Sequence, residues 1–289
     1  MDDILTTLAS LSVLIFVIGS MTSMGLSLKL PQIIAPLKDV KLVVLALVAN
    51  FILVPLVAMA ITAVMPVDDS IRIGLILLST AAGAPFLPKL AEAAKGSTAF
   101  SVGLMVLLMF VTIIYLPLVL PLLLGDVQVN PWDIAKSLIV LMLIPLAIGL
   151  FVNARYEDTA AKIKPTFGMA SNIALLALMA LSLVLNFDSM IALVGSWGIL
   201  AGIIFISISL VIGYFLGGSA DTRSVMGLGT AQRNIAAALV VAGQNFGTDV
   251  VTYLTVMAVI GLVILMPAAG ELGKRQAKAA GAPEGETSS

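Results

Sequence analysis

The stretch Gly227-Leu228-Gly229-Thr230-Ala231-Gln232-Arg233-Asn234 is a polar, glycine-interrupted island inside a run that otherwise reads as lipid-soluble helix. Arg233 lies about 12 residues from the charge cluster at Asp221 and Arg223, or about 18 Å along a helix rising 1.5 Å per residue, too deep for its side chain to reach the surface easily. Holding a charge there against lipid tails costs at least about 2.5 to 3.5 kcal/mol, so protein, cavity water or a ligand has to solvate it. The island therefore reads as a site.

The surrounding composition says what kind of molecule carries it. With 60% hydrophobic residues, 11% charged residues and a mean hydropathy of +1.15, a chain of 289 residues is too apolar for a soluble domain. An all-α polytopic membrane protein is expected. A net charge of -1 leaves no basic stripe to neutralise phosphates, which argues against nucleic acid as a partner. The absence of cysteine removes disulfides, thiolate metal sites and cysteine nucleophiles, and the absence of histidine removes the usual proton shuttle and zinc ligand. No cofactor is expected beyond a coupling ion, sodium or proton. Met1-Asp2-Asp3 is acidic where a signal peptide is basic, so the first apolar run is expected to remain as a helix.

Cutting at charge and proline clusters gives apolar runs at about 4 to 28, 39 to 65, 70 to 95, 97 to 124, 131 to 153, 163 to 186, 190 to 216, 221 to 244 and 247 to 269. Each approaches the ~20 residues that cross ~30 Å of hydrocarbon, so about nine spans are predicted. The run at 70 to 95 is the weak one, because Pro85, Pro88 and Lys89 interrupt it. Residues 1 to 270 form the transmembrane domain in this reading, and 271 to 289 a disordered cytoplasmic tail.

Orientation follows from positive charge. Eleven of the 15 Lys and Arg residues fall on one side (Lys29, Lys38, Lys41, Lys95, Arg155, Lys162, Lys164, Arg223, Lys274, Arg275 and Lys278), while Arg72 and Lys136 fall on the other. Lys89 and Arg233 are left inside. This split predicts an outside N-terminus, a cytoplasmic C-terminus and a plasma-membrane location, the inner membrane if the source is bacterial.

Runs one to four (4 to 124) lie over runs six to nine (163 to 269) with the interrupted member third in each half, Gly83 to Lys89 in one and Gly227 to Asn234 in the other. Five spans separate each pair, so the halves must be inverted in the membrane, with 131 to 153 as the linker helix. Paired discontinuous helices in two inverted repeats point to a secondary transporter with its site near the midplane. Unwinding a helix frees backbone groups, which a membrane tolerates only around a polar ligand or cavity. The competing reading is that glycine and proline merely kink helices for close packing.

Met24-Gly25-Leu26-Ser27-Leu28, Asn50-Phe51 with Pro55-Leu56, Ala94-Lys95-Gly96 leading into Ser101-Val102-Gly103, and Gln232-Arg233-Asn234-Ile235-Ala236-Ala237-Ala238 occur in that order through residues 15 to 245. As an ordered set they resemble the bile acid:sodium symporter family, in its nine-span form. The resemblance implies a panel domain, a core domain with two discontinuous helices that cross, and a site for organic anions between the domains. The chain departs from sodium-binding members in three places. Pro85-Phe86-Leu87-Pro88-Lys89 stands where they carry a small polar run ending in Ser-Asn, Gly229 stands where they carry a glutamate, and Val106-Leu107-Leu108-Met109 offers no hydroxyl. Sodium needs a shell of hard oxygen donors, so sodium coupling is placed in doubt, with Thr230 and Gln232 left as a weak possible site.

The candidate substrate- or ion-binding residues are Arg233, Gln232, Asn234, Thr230, Gly229, Lys89, Pro85, Pro88, Gly83, Asn50 and Asn172. Arg233 is read as the partner of an anionic substrate, its planar fork suited to carboxylate or sulfonate; the alternative is an arginine bonding freed carbonyls of the broken helix. Lys89 either occupies the crossing in place of a bound cation, or snorkels toward Lys95. Asn50, Ser171 and Asn172 either line a cavity or glue helices together, and Ser20, Thr22 and Ser23 are assigned to packing. The expected function is secondary active transport of a small organic anion by alternating access, with proton-coupled or uncoupled carriage as variants. A membrane sensor or structural protein is the alternative, though no output domain is visible. An intramembrane enzyme finds no nucleophile with a base and no metal shell, and an arsenite exporter lacks its thiolate.

Overall fold

The structure is a computed structural model that describes residues 2–29, 31, 34, 38–125, 130–185, 193 and 195–279. Every regular element among them is helical. In chain order these are α1 (Asp2–Gly25), α2 (Val40–Val64), α3 (Asp69–Thr80), α4 (Leu87–Ala93), α5 (Thr98–Leu123), α6 (Pro131–Arg155), α7 (Glu157–Leu185), α8 (Gly198–Leu216), α9 (Ala220–Ala231), α10 (Ile235–Asn245) and α11 (Thr248–Ala279). Eight helical stretches among the described residues are long and apolar enough to cross a membrane, counting α9 with α10 as one. The run at 70 to 95 is not among them, because it is two short helices, α3 and α4, separated by residues 81–86. The first part of the run at 190 to 216 falls outside the described residues, and α8 supplies the rest.

Each interruption has a local cause. Gly83 stands at φ +81, the left-handed region that a side chain resists, and a Cβ there would run into the Met109 backbone of α5. Pro85 lacks the N–H that a continuing helix needs, while Pro88 sits in the first turn of α4, where the missing N–H costs nothing. In the second interruption α9 stops at Ala231, Gln232 turns extended, and Asn234 caps the new helix by accepting from the Ala237 N–H at 3.1 Å.

Two unbroken spans carry a wider turn for a related reason. A π turn at Ala49–Leu53 precedes Pro55 in α2, and another at Ile139–Leu143 precedes Pro145 in α6. The π turn makes room for the proline ring. The freed Phe51 carbonyl in α2 accepts the Tyr115 hydroxyl of α5 at 2.6 Å.

Packing divides the helices into two groups. α1, α6 and α7 lie mainly against one another, while α8 covers α9, and α11 packs on α3, α4, α9 and α10. The broken helix α9–α10 is the centre: 89% of its span is buried inside the protein, against 17% for the span in α7. Large apolar side chains such as Ile173, Leu176 and Val184 on α7, and Ile114, Leu118 and Leu122 on α5, point outward. That is the face a bilayer solvates.

The segment from 271, expected as a disordered tail, is helical as far as Ala279. Glu271 and Arg275 pair one turn apart at 3.2 Å, and Gln276 donates to Ala220 O at 2.6 Å and to Ser224 Oγ at 3.0 Å, so α11 continues past the apolar run by docking on the start of α9. Residues 280–289 of the expected tail lie outside the described residues.

Candidate functional site

The two interruptions meet. The Asn234 N–H donates to Ala81 O at 2.8 Å and Asn234 Nδ2 donates to Gly83 O at 3.0 Å, so one residue at the start of α10 binds the first break at two points. Thr112 of α5 completes it from the far side, its hydroxyl accepting from the Ala82 N–H at 2.9 Å and donating to Ala82 O at 3.1 Å. Backbone freed by unwinding is thus satisfied by protein at the crossing, as burial requires.

Arg233 fills the heart of this crossing. Its Nε donates to Leu78 O at 2.9 Å and Nη2 to Ser79 O at 2.7 Å, while Nη1 donates to Asn50 Oδ1 at 2.8 Å and to Thr230 O at 3.1 Å. Leu78 and Ser79 end α3, and Thr230 lies in the last turn of α9. The guanidinium therefore sits where two helix C-termini direct their carbonyls, the negative ends of their dipoles. Four of its five N–H donors are engaged, and only 5% of the residue is exposed. The expected open fork for a carboxylate is not what the structure presents, because the carbonyls that the second break leaves over already hold it.

Asn50 reaches this network through the π turn of α2. It is fully buried, accepts from Arg233, and donates from Nδ2 to Ala46 O at 3.0 Å and to Thr230 Oγ1 at 3.3 Å. Thr230, Asn50 and Asn234 are all part of the crossing and are not among the residues lining the large cavity beside it. Gly229 belongs to packing, since a Cβ on it would stand 2.9 Å from Leu87 and 3.2 Å from Leu104. Of the pair expected as a weak sodium site, Thr230 turns to Asn50 and α8 at the end of a helix, while Gln232, in extended backbone, lines a cavity.

That cavity has a volume of about 620 Å³ and separates α1 and α7 from the crossing. Of the candidate residues, Lys89, Pro85, Pro88, Asn172, Gln232 and the edge of Arg233 line it. Lys89 is exposed on the cavity wall in α4, its ammonium 6.0 Å from the Phe86 ring centre, so it does not enter the crossing as the cation-mimic reading expects. The carbonyl ends that reading assigns to it are held by the Arg233 guanidinium instead. Lys164 of α7, counted from sequence as a loop charge, also lines the cavity, and among the described residues no Asp or Glu does. Ser20 and Ser23, assigned to packing, face the cavity too, and Ser171 lines it while holding α7 to α1 through Phe16 O at 2.9 Å. Gln232 Oε1 is buried and has no hydrogen-bond partner among the described residues, which leaves an acceptor beside the cavity floor. Thr112 at the crossing and Lys164 on the cavity wall are the residues of this region that sequence reasoning did not single out.

Among the described residues no cluster of three or more His, Cys, Asp or Glu side chains is placed to hold a metal. What the arrangement offers a ligand is two ammonium groups, a buried amide oxygen and hydroxyls, over a floor made positive by Arg233. A probable chloroplastic sodium/metabolite cotransporter of Arabidopsis thaliana is 22% identical over 257 residues, covering 85% of this chain and 60% of the relative. A protein of Bacillus subtilis (strain 168) described as an uncharacterized sodium-dependent transporter is 24% identical over 201 residues, covering 68% of this chain and 60% of the relative. The chain thus spans about 60% of the length of these curated relatives. The model of the sodium bile acid symporter family matches residues 13–193, from α1 through α7 and so across the first break, and the chain belongs to this family of transporters.

Proposed function

We propose that the chain is a secondary transporter that carries a small organic anion, a carboxylate or sulfonate, by alternating access. The observation that carries the reading is the cavity: about 620 Å³, walled by two lysines, floored by the meeting of two broken helices, and lined by no carboxylate among the described residues. An anion entering it would exchange water for Lys89 and Lys164, with Gln232 and the serines of α1 orienting its polar end. The apolar wall, including Phe16, Phe205 and Met257, would cover a hydrocarbon part. Movement of the α1, α6 and α7 layer against the crossing would change the side on which the cavity opens, which is how inverted repeats around a midplane site work in general. The proposal includes the inverted relation of residues 4 to 124 and 163 to 269, an outside N-terminus and a plasma-membrane location.

The test is uptake by proteoliposomes across a panel of radiolabelled carboxylates and sulfonates. Saturable uptake of at least one anion, absent from empty liposomes, is the expected result; no uptake of any anion, with cations or neutral solutes taken up instead, would refute it. A second reading of the coupling, that sodium moves with the anion, is favoured by the descriptions of the two relatives. Replacing sodium by potassium in the same assay separates it from uncoupled carriage.

A further inference from the structure

The oxygens around Arg233 are three backbone carbonyls and a side-chain amide, hard donors of the kind that hold a small cation. Leu78 O and Ser79 O close α3, Thr230 O closes α9, and Asn50 Oδ1 is delivered by a π turn, so two helix dipoles and an amide face one guanidinium. In secondary transporters generally, half-helix C-terminal ends and freed carbonyls near the midplane are the groups that hold a coupling cation. Here the three guanidinium nitrogens divide those oxygens among them, each bond 2.7 to 3.1 Å long. The adjacent face of α9 offers no second cage, because Leu87 and Leu104 close on Gly229.

We propose that Arg233 is a tethered cation that permanently occupies the oxygen cage a coupling cation would otherwise use, so that this chain moves its anion without taking up sodium at the helix crossing. Coupling requires the cage to alternate between filled and empty, since a ligand shifts a conformational equilibrium only by its differential affinity for the two states. A cation joined to α10 by its own backbone cannot leave. A sodium gradient acting through the crossing then does no work on the anion. This deepens the transport reading and rests on it for its consequence alone, while occupancy of the cage is measurable without transport.

Melting of the purified full-length protein in detergent, in sodium, potassium or choline chloride at matched ionic strength, reads that occupancy. The wild type should melt at one temperature in all three salts. Arg233→Ala and Arg233→Gln should melt lower in choline and regain stability saturably as sodium is added, because a ligand of the folded state alone raises stability by mass action. Arg233→Lys, which keeps a tethered charge, should remain indifferent to sodium. A wild type that melts higher in sodium than in potassium overturns the proposal, and so do neutral variants that fold but ignore sodium. If the neutral variants give no folded protein in any salt, the wild-type comparison decides on its own, indifference sustaining the proposal and sodium dependence ending it. Sodium rescue of the neutral variants in a protein that takes up no organic anion would sink the transport reading and leave the cage assignment standing.

Discussion

Arg233 and Lys89 are two cations within reach of the same cavity, and they are solvated in opposite ways. Arg233 is 5% exposed and has four protein oxygens within 3.1 Å, drawn from α2, α3 and α9. Lys89 is exposed on the cavity wall, with the Phe86 ring 6.0 Å from its ammonium as its recorded contact. A charge whose shell is made of backbone carbonyls cannot turn to a ligand without orphaning those carbonyls. A charge whose shell is cavity water can, because an anion replaces the water directly. The difference separates a cation that builds the site from one that reads the substrate.

The comparison predicts its largest effect at Arg233. Arg233→Ala leaves Ser79 O, Thr230 O and Asn50 Oδ1 without the donor that satisfies them, and each buried acceptor left unmade costs about 1 to 3 kcal/mol. In sodium-free buffer the variant should lose several degrees of melting temperature as well as uptake. A variant that melts with the wild type there but no longer binds an anion would return Arg233 to the substrate-reading class.

A step down in size is Thr112, which pins the first break as Arg233 pins the second. Thr112→Val keeps the shape and removes the two hydrogen bonds to Ala82, costing about 1 to 3 kcal/mol for the pair of backbone groups left buried. Faster amide exchange at Ala82 and a lower melting temperature are the expected readouts, and Thr112→Ser should restore both. Unchanged exchange in the valine variant would mean that Asn234 holds the break alone.

Those two residues also mark where the sequence stops being informative. The broken helices are legible because glycine and proline at 83, 85 and 88, and a polar island at 227–234, have no other use inside an apolar run. The burial of Arg233 follows from its distance to the nearest charge. Its partners do not follow, because three of them are backbone carbonyls, and two of those belong to residues some 155 positions earlier in the chain. Side-chain identity does not encode a carbonyl's direction. Thr112 is hidden for a different reason: one hydroxyl in the apolar run at 97 to 124 matches ordinary helix packing, and only the position of the opposing break gives it a task. The helical continuation from 271 to 279 is likewise a tertiary effect, since Gln276 means nothing until α9 lies beside it.

The smallest effects should come from the cations that read the substrate. Lys89→Met and Lys164→Met each remove one hydrated ammonium from the cavity wall, where a solvent-screened ion pair is worth up to about 1 kcal/mol, or about five-fold in affinity. Each should therefore raise KM for an anionic substrate by up to about five-fold, leave the maximal rate nearly unchanged, and leave melting where it was. Because these contacts are screened, the KM of the wild type should also rise with ionic strength, and the variants should respond less. Lys89→Arg, which keeps the charge in the same water-filled space, should bind nearly as the wild type does. Arg233→Lys should not behave like this, because an ammonium has three donors where the guanidinium makes four hydrogen bonds, so at least one buried acceptor is left unmet. If Lys89→Met instead melted as low as Arg233→Ala with no change in KM, the two cations would be doing the same job, and the distinction between building the site and reading the substrate would fail at its weaker member.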